Sequence, residues 1–319
     1  LSIAMYIVGF AESFNNALGI SSQYSSPEQQ INNLRITGSI TLVVVSTIAL
    51  ISTSLAIKTQ YYILGAIGLS LISIFAGGLL MDHGLEASTT FLMPSENSVP
   101  LVTVFAIFFP AVTGFTAGVA MSGDLKDPKK SIPIGTMASI GVGLVVYISL
   151  AVFLHLNVDP QALREDTNVL SKIALLSAYG APLLMAGIWG ATFSSALGGI
   201  LGGPRILQAM SLDRVTPRIF AKGVGKSNEP RNALIFAFLI AEAGVLIGEL
   251  DLIAPIVSMF YLTAYGFINL TSALESWSGS EFRPTFKIPK TVSVIGALAT
   301  FAVMFNLDMV SMFASFIII

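Results

Sequence analysis

The sequence has no cysteine and two histidines, His83 and His155. Without cysteine there is neither a disulfide framework nor a thiol site. Two isolated histidines near span ends support neither a zinc centre nor a Ser-His-Asp triad. Charge is equally scarce: charged residues are 11% of the chain and the net charge is −2. No basic stripe interleaved with aromatics argues for nucleic acid. The carboxylates lie mainly in connecting segments, with no paired acids and no nucleotide-binding loop, so no enzyme constellation emerges. Low-complexity segments and space for a soluble domain between spans are also missing. The chain opens on Leu1 inside an apolar run, without a charged leader. This start is not expected to be a signal peptide, and the expectation is a single transmembrane domain, residues 1–319, that forms a fragment of a longer membrane protein.

Apolar residues are what the chain has in abundance. They make up 54% of it, with a mean hydropathy of +0.81, which fits an all-α polytopic membrane protein. Spans are expected near 1–19, 36–57, 61–81, 99–122, 132–156, 175–210, 232–249, 252–275 and 291–306, with a further one from 309. Short links at Lys58-Thr59-Gln60 and Glu249-Leu250-Asp251 argue for helical hairpins, and 82–98 and 157–174 read as longer loops. Thirteen Lys and Arg fall on one set of alternate loops, against Arg35, Arg164 and Lys172 on the other. Basic residues stay cytoplasmic, so Leu1 lies at the cytoplasmic end of its span.

The span at 99–122 holds Phe108-Phe109-Pro110-Ala111-Val112-Thr113-Gly114-Phe115-Thr116-Ala117-Gly118. Proline removes a backbone donor and glycine weakens a helix, so this span is expected to unwind at mid-membrane. Freed backbone groups must face protein or a watery cavity, and a broken helix at that depth points to a transporter's binding site. The alternative is a kinked packing helix. In 175–210 the run Gly190-Ala191-Thr192-Phe193-Ser194-Ser195-Ala196-Leu197-Gly198-Gly199 places hydroxyls at mid-membrane, able to ligate a small hard cation; close helix packing by small residues is the competing explanation. Tyr6 offers a phenolic oxygen inside the first span, or is a buried packing residue. Glu12 and Glu242 are acids within spans, costly unless paired or wetted. Tyr261 and Tyr265, four apart, share one helix face, as anion donors or as an aromatic packing stripe.

The segments Phe109-Pro110-Ala111-Val112-Thr113-Gly114 and Ser122-Gly123-Asp124-Leu125-Lys126-Asp127-Pro128 resemble the cation–chloride cotransporter family. So do Ala4-Met5-Tyr6-Ile7-Val8-Gly9-Phe10-Ala11-Glu12, Ala191-Thr192-Phe193-Ser194-Ser195-Ala196-Leu197 with Gly203-Pro204-Arg205, Phe220-Ala221-Lys222-Gly223, Glu249-Leu250-Asp251-Leu252-Ile253-Ala254-Pro255-Ile256, and Arg283-Pro284-Thr285-Phe286-Lys287. These blocks keep order and spacing over nearly the whole chain. The resemblance implies the LeuT-like inverted-repeat fold, here from its third helix to the start of its twelfth, without the first two helices and the C-terminal cytoplasmic domain.

It also implies the cargo sites. Potassium falls at Tyr6, Pro110 and Thr113, and sodium at Ala191, Ser194 and Ser195. Chloride falls on the amides of Gly114, Phe115 and Thr116 with the Tyr265 hydroxyl, where a helix N-terminus aimed at an anion supplies the physics. Phe115-Thr116 departs from the family's usual aliphatic pair. Glu12 and Asp124 match the outer-gate and inner-gate acids. The serine pair looks like the sodium-coupled branch, and Tyr6 like the potassium-using members. The implied activity is secondary cotransport of chloride with sodium and potassium, without cofactor, in the plasma membrane. The partners it allows are inorganic ions, the lipid bilayer and a second copy in a homodimer. An amino-acid or polyamine permease of the same fold and a potassium–chloride cotransporter are the alternatives.

Overall fold

The computed structural model describes residues 1–20, 26–51, 53–80, 99–120, 122–165, 169–174, 177–225, 228–278 and 288–318. In chain order the helices are α1 Ser2–Ala17, α2 Pro27–Ile51, α3 Thr53–Leu80, α4 Leu101–Phe108, α5 Ala117–Ala120, α6 Pro128–Asn157, α7 Pro160–Glu165, α8 Val169–Ile173, α9 Ser177–Leu212, α10 Arg231–Val245, α11 Leu250–Ser278, α12 Lys290–Leu307 and α13 Met309–Ile318. Six of them, α2, α3, α6, α9, α11 and α12, are long and apolar enough to cross a membrane. At 36 residues, α9 is about 54 Å long, well beyond the ~30 Å apolar core of a bilayer.

Several boundaries differ from the sequence reading. Lys58, Thr59 and Gln60 lie inside α3, not in a link. Lys and Gln are good helix formers, so their polarity marks the edge of the apolar stretch and not the end of the helix. α2 begins at Pro27, well before the apolar run, because proline fits the first helical turn. Part of the stretch 157–174 is helical too. The Asp159 carboxylate accepts from the amides of Gln161 (2.8 Å) and Ala162 (3.2 Å), an N-cap that starts α7. The α10–α11 link falls at 246–249 and turns at Gly248, whose φ is +77°. The loop at 82–98 and the Arg283–Lys287 block lie outside the described residues.

The chain forms two compact units. The first comprises Leu1–Met93 and Gly141–Leu250. Its centre is α9, packed against α1 and α3. Among the α1 contacts, Ile3 meets Gly199, Phe10 meets Phe193 at 6.2 Å, and Phe14 meets Trp189 at 5.4 Å between ring centroids. Rising numbers on α1 match falling numbers on α9, so the two run antiparallel. On α3, Gly187 lies against Ser70 and Ala66, Gly190 against Ile63, and Ser194 against Gln60. That pair is antiparallel as well. A separate apolar cluster of Ile74, Phe153, Val158, Val169, Ile173 and Leu184 anchors α8 against α3, α6 and α9.

The second unit comprises Pro94–Ile140 and Asp251–Ile319. Its core is Met259, Leu262, Met304 and Met312, with Phe105, Phe109, Phe301 and Phe316 packed on them. Asp308 caps α13, accepting from the amides of Val310 (3.2 Å) and Ser311 (3.0 Å).

The contact between α3 and α9 yields a stability prediction. A Cβ on Gly187 would collide with the Ser70 side chain, whereas one on Gly198 meets nothing within 4 Å. Gly187→Ala should destabilise by about 1–3 kcal/mol through overpacking, while Gly198→Ala should gain up to about 1 kcal/mol from helix propensity. Thermal unfolding of both variants in detergent checks the contrast; equal melting temperatures would refute the close contact.

Candidate functional site

The expected break in the span at 99–122 is present. α4 stops at Phe108, a 3-10 turn runs Phe109–Val112, and helix resumes only at Ala117. Thr113 is extended, with φ −93° and ψ −175°, and Gly114 has φ +90°, a conformation that favours glycine. Pro110 explains why the ladder fails. In a continuous helix the Ala106 carbonyl would accept from residue 110, and proline has no N–H. The Ser258 hydroxyl of α11 replaces it, donating to the Ala106 carbonyl at 2.5 Å. Ser258 is fully buried, so this bond has no water competitor.

Beyond the proline, Thr113 folds back. Its amide (3.2 Å) and its hydroxyl (2.6 Å) both donate to the Pro110 carbonyl. The Thr113 hydroxyl thereby spends its hydrogen within the turn and keeps its own lone pairs. Ala117 donates to the Gly114 carbonyl at 3.0 Å. The restart differs from the sequence reading, which expected a half-helix with a positive end. α5 is four residues long, too short to sum many peptide dipoles, so individual amides are the available anion donors here.

Tyr265 faces this turn. Its ring stacks on Phe115 at 5.3 Å and 25°, meets Phe109 edge-on at 6.3 Å, and stacks on Tyr261 at 5.8 Å. The departure at Phe115 thus acquires a role: an aromatic side chain there holds the tyrosine ring. The Tyr265 hydroxyl is buried and no hydrogen bond of normal geometry reaches it among the described residues. Its polar neighbours are the Thr116 side chain and the Gly114 backbone. Gly114, Phe115, Thr116 and Tyr265 are therefore together within the second unit.

Tyr6, Glu12, Ala191, Ser194 and Ser195 belong to the first unit. On α1 the buried stripe is Ile3, Ala4, Ile7, Val8, Ala11 and Asn15. Tyr6 stands off it, half-buried. It lies between Ile3, opposite Gly199, and Phe10, opposite Phe193, hence near the level of Ala196, next to Ser195, along the α1–α9 pair. Ser194 donates to the Gln60 side-chain oxygen, while Ser195 is exposed. Glu12 lines a cavity of about 320 Å³ with Gly9, Ser13, Asn16, Ser171 and Met185. Beside it, Ser13 accepts from Trp189 Nε1 at 3.1 Å. Glu242, read from the sequence as paired or cavity-lining, accepts from the Ser39 hydroxyl at 2.5 Å. Asp124 ends the 3-10 turn Ser122–Asp124, and its side chain lies outside the described residues.

Gln60 and Ser258 are the two polar side chains at these places that sequence reasoning missed. Their signal was faint: a single amide at the start of an apolar stretch, and one serine in a helix rich in them.

The helical character of the described residues, the membrane-crossing helices and one span unwound at a proline fit a multi-pass membrane protein with the fold of the amino acid–polyamine–organocation superfamily. The family described as amino acid permease matches residues 1–319, and the chain belongs to that family. It is similar to solute carrier family 12 member 2 of Mus musculus, 35% identical over 367 residues that cover 100% of this chain and 30% of that protein. It is also similar to solute carrier family 12 member 1 of Homo sapiens, 34% identical over 358 residues, 97% of this chain and 32% of that protein. The human member 2 is 34% identical over 367 residues, 100% of this chain and 30% of that protein. The chain spans about a third of the length of the curated relatives it matches. These relatives bear out the resemblance to the cation–chloride cotransporter family.

The break itself can be tested. Ser258→Ala leaves the Ala106 carbonyl buried without a donor and should cost about 1–3 kcal/mol. Ser258→Thr keeps the hydroxyl and should lose less. Thermal melts of the two variants discriminate; identical behaviour of Ala and wild type would show that the carbonyl is satisfied some other way.

Proposed function

We propose that the protein is a secondary transporter of the cell membrane that moves chloride together with sodium and potassium, driven by existing gradients. The observation that carries the reading is the Tyr265 hydroxyl, buried beside Gly114 and Thr116 at the helix break with no hydrogen bond of normal geometry among the described residues. A buried hydroxyl that donates to nothing is costly, and an anion at the turn offsets that cost by accepting from it and from the amides of Gly114 to Thr116. Chloride, with no proton of its own to place, suits a set of donors.

The cations are assigned as the resemblance implies: potassium to Tyr6, Pro110 and Thr113, sodium to Ala191, Ser194 and Ser195. What supports the potassium assignment is that Thr113 gives its hydrogen to Pro110. What supports sodium is the pair of adjacent hydroxyls, of which Ser195 is open. Glu12, at the cavity in the first unit, and Asp124 are proposed as the gating acids. Coupling to potassium and chloride alone and amino-acid or polyamine transport are the competing readings.

Chloride-dependent cation uptake by the full-length protein in proteoliposomes, with gluconate as the replacement anion, tests the central proposal. Tyr265→Phe keeps the ring and its stacking on Phe115. It removes a hydrogen bond to a charged group worth about 1.5–3 kcal/mol, so chloride affinity should fall about tenfold to a hundredfold. Uptake that persists in gluconate rejects the cotransporter reading. Unchanged chloride affinity in the variant rejects only Tyr265.

A second measurement addresses potassium. Tyr6→Phe should raise the potassium concentration for half-maximal uptake and disturb sodium less. Rubidium uptake that matches wild type at all concentrations would make Tyr6 a packing residue.

A further inference from the structure

We propose that Gln60 is a positioning residue of the sodium site: its side-chain oxygen takes the Ser194 hydroxyl hydrogen and so turns the Ser194 lone pairs toward the cation. The inference rests on the sodium assignment made above.

A serine hydroxyl has one hydrogen and two lone pairs. It ligates a cation well only when the hydrogen is committed elsewhere. In mid-helix the usual outlet is the carbonyl one turn back, and this chain uses it repeatedly. Thr41 donates to the Thr37 carbonyl at 2.8 Å, Thr192 to Ile188 at 2.8 Å, and Ser276 to Ser272 at 2.7 Å. That choice folds the oxygen against its own helix. Ser194 departs from the habit and donates across to Gln60 of α3. Its oxygen is thereby held away from the α9 backbone.

The neighbouring residues make this reach available. One turn and two turns before Ser194, α9 carries Gly190 and Gly187, which lie against Ile63 and against Ser70 and Ala66 of α3. The glycines bring the helices close enough for a Gln side chain to span the remaining gap. Gln60 is neutral, so it orients the serine without adding a charge to compete with sodium. This is the outer-shell arrangement that fixes ligand orientation and raises ligand basicity in metal sites.

An interhelical hydrogen bond can also be simple packing glue, and the two roles separate experimentally. Half-saturating sodium, potassium and chloride concentrations are measured for uptake by the full-length protein in proteoliposomes, with Gln60→Met, Gln60→Glu and Ser194→Ala. Met matches the length of Gln without a strong acceptor; Glu keeps the acceptor. The expected result is a sodium value raised about tenfold to a hundredfold in Gln60→Met, potassium and chloride values unchanged, and sodium affinity retained in Gln60→Glu. Equal weakening for all three ions in Gln60→Met, with no recovery in Gln60→Glu, would assign the bond to packing and overturn the inference. So would an unchanged sodium value in Gln60→Met when Ser194→Ala abolishes sodium dependence. Uptake by wild type that ignores sodium removes the sodium reading and this inference with it. If Gln60→Met does not reach the membrane, Gln60→Glu decides: sodium binding weaker than wild type, with normal potassium and chloride, overturns the proposal.

Discussion

Pro110 has no amide hydrogen, and the Ala106 carbonyl four residues earlier must take its hydrogen bond from somewhere other than the helix. In a membrane that requirement is strict, because lipid offers no donor. Ser258 meets it from α11, and the rest of the second unit is arranged around that contact. The same helix carries Tyr261 and Tyr265, one and two turns further on. Fixing Ser258 against α4 therefore sets where the tyrosines meet the turn. Phe105 and Phe109, on either side of Ala106, bury their rings against Met259, Leu262 and Met304. The break is held open by apolar packing on one side and a single buried hydrogen bond on the other.

In the first unit the controlling constraint is different. Helices in lipid gain little from burying apolar surface against each other, so close backbone approach and dispersion must hold them. Gly187 and Gly190 provide it toward α3, and Gly199 receives Ile3 of α1. Both neighbours run antiparallel to α9. Ser39 and Arg35 of α2 reach Glu242 of α10 and the Ile247 carbonyl just past its end, rising numbers again matching falling ones. These directions agree with the alternation required by the distribution of Lys and Arg. An electrostatic rule about loops and a packing observation about helices thus agree on the alternation of these helices.

Much of this was legible in the sequence, and the part that was not has a common cause. The break was readable because Pro110, Thr113 and Gly114 act on their own backbone. The aromatic face of Tyr261 and Tyr265 was readable because spacing of four is a property of one helix. Ser258 and Gln60 were not, since each acts on a segment more than a hundred residues away and nothing local to it names the partner. The misplaced link at Lys58-Thr59-Gln60 has another origin: hydropathy reports where lipid ends, whereas helices end where caps and breakers lie. The short restart at Ala117–Ala120 reflects the glycines that made the break predictable, since Gly114, Gly118 and Gly123 also weaken the helix on the far side of the turn. Loop 157–174 contained a readable cap, Asp159 before Pro160, which charge counting passed over.

The turn after Pro110 is chemically two-sided, and this bears on why cations and an anion would be carried together. Thr113 commits its hydrogen to Pro110 and presents oxygen lone pairs, a surface for a cation. In the proposed reading the amides of Gly114 to Thr116, one to three residues further on, and the Tyr265 hydroxyl supply hydrogens to an anion. Either ion alone would be stripped of water at a cost of several kcal/mol. Opposite unit charges about 4 Å apart at an effective dielectric of 20 attract by roughly 4 kcal/mol, comparable to that cost. Under the proposed reading, each ion offsets the dehydration of the other, so partial loading is disfavoured without any moving part dedicated to coupling. The requirement for both signs would then come from placing donors and acceptors on one unwound segment. A continuous helix could not do this, because its amides and carbonyls are consumed by each other.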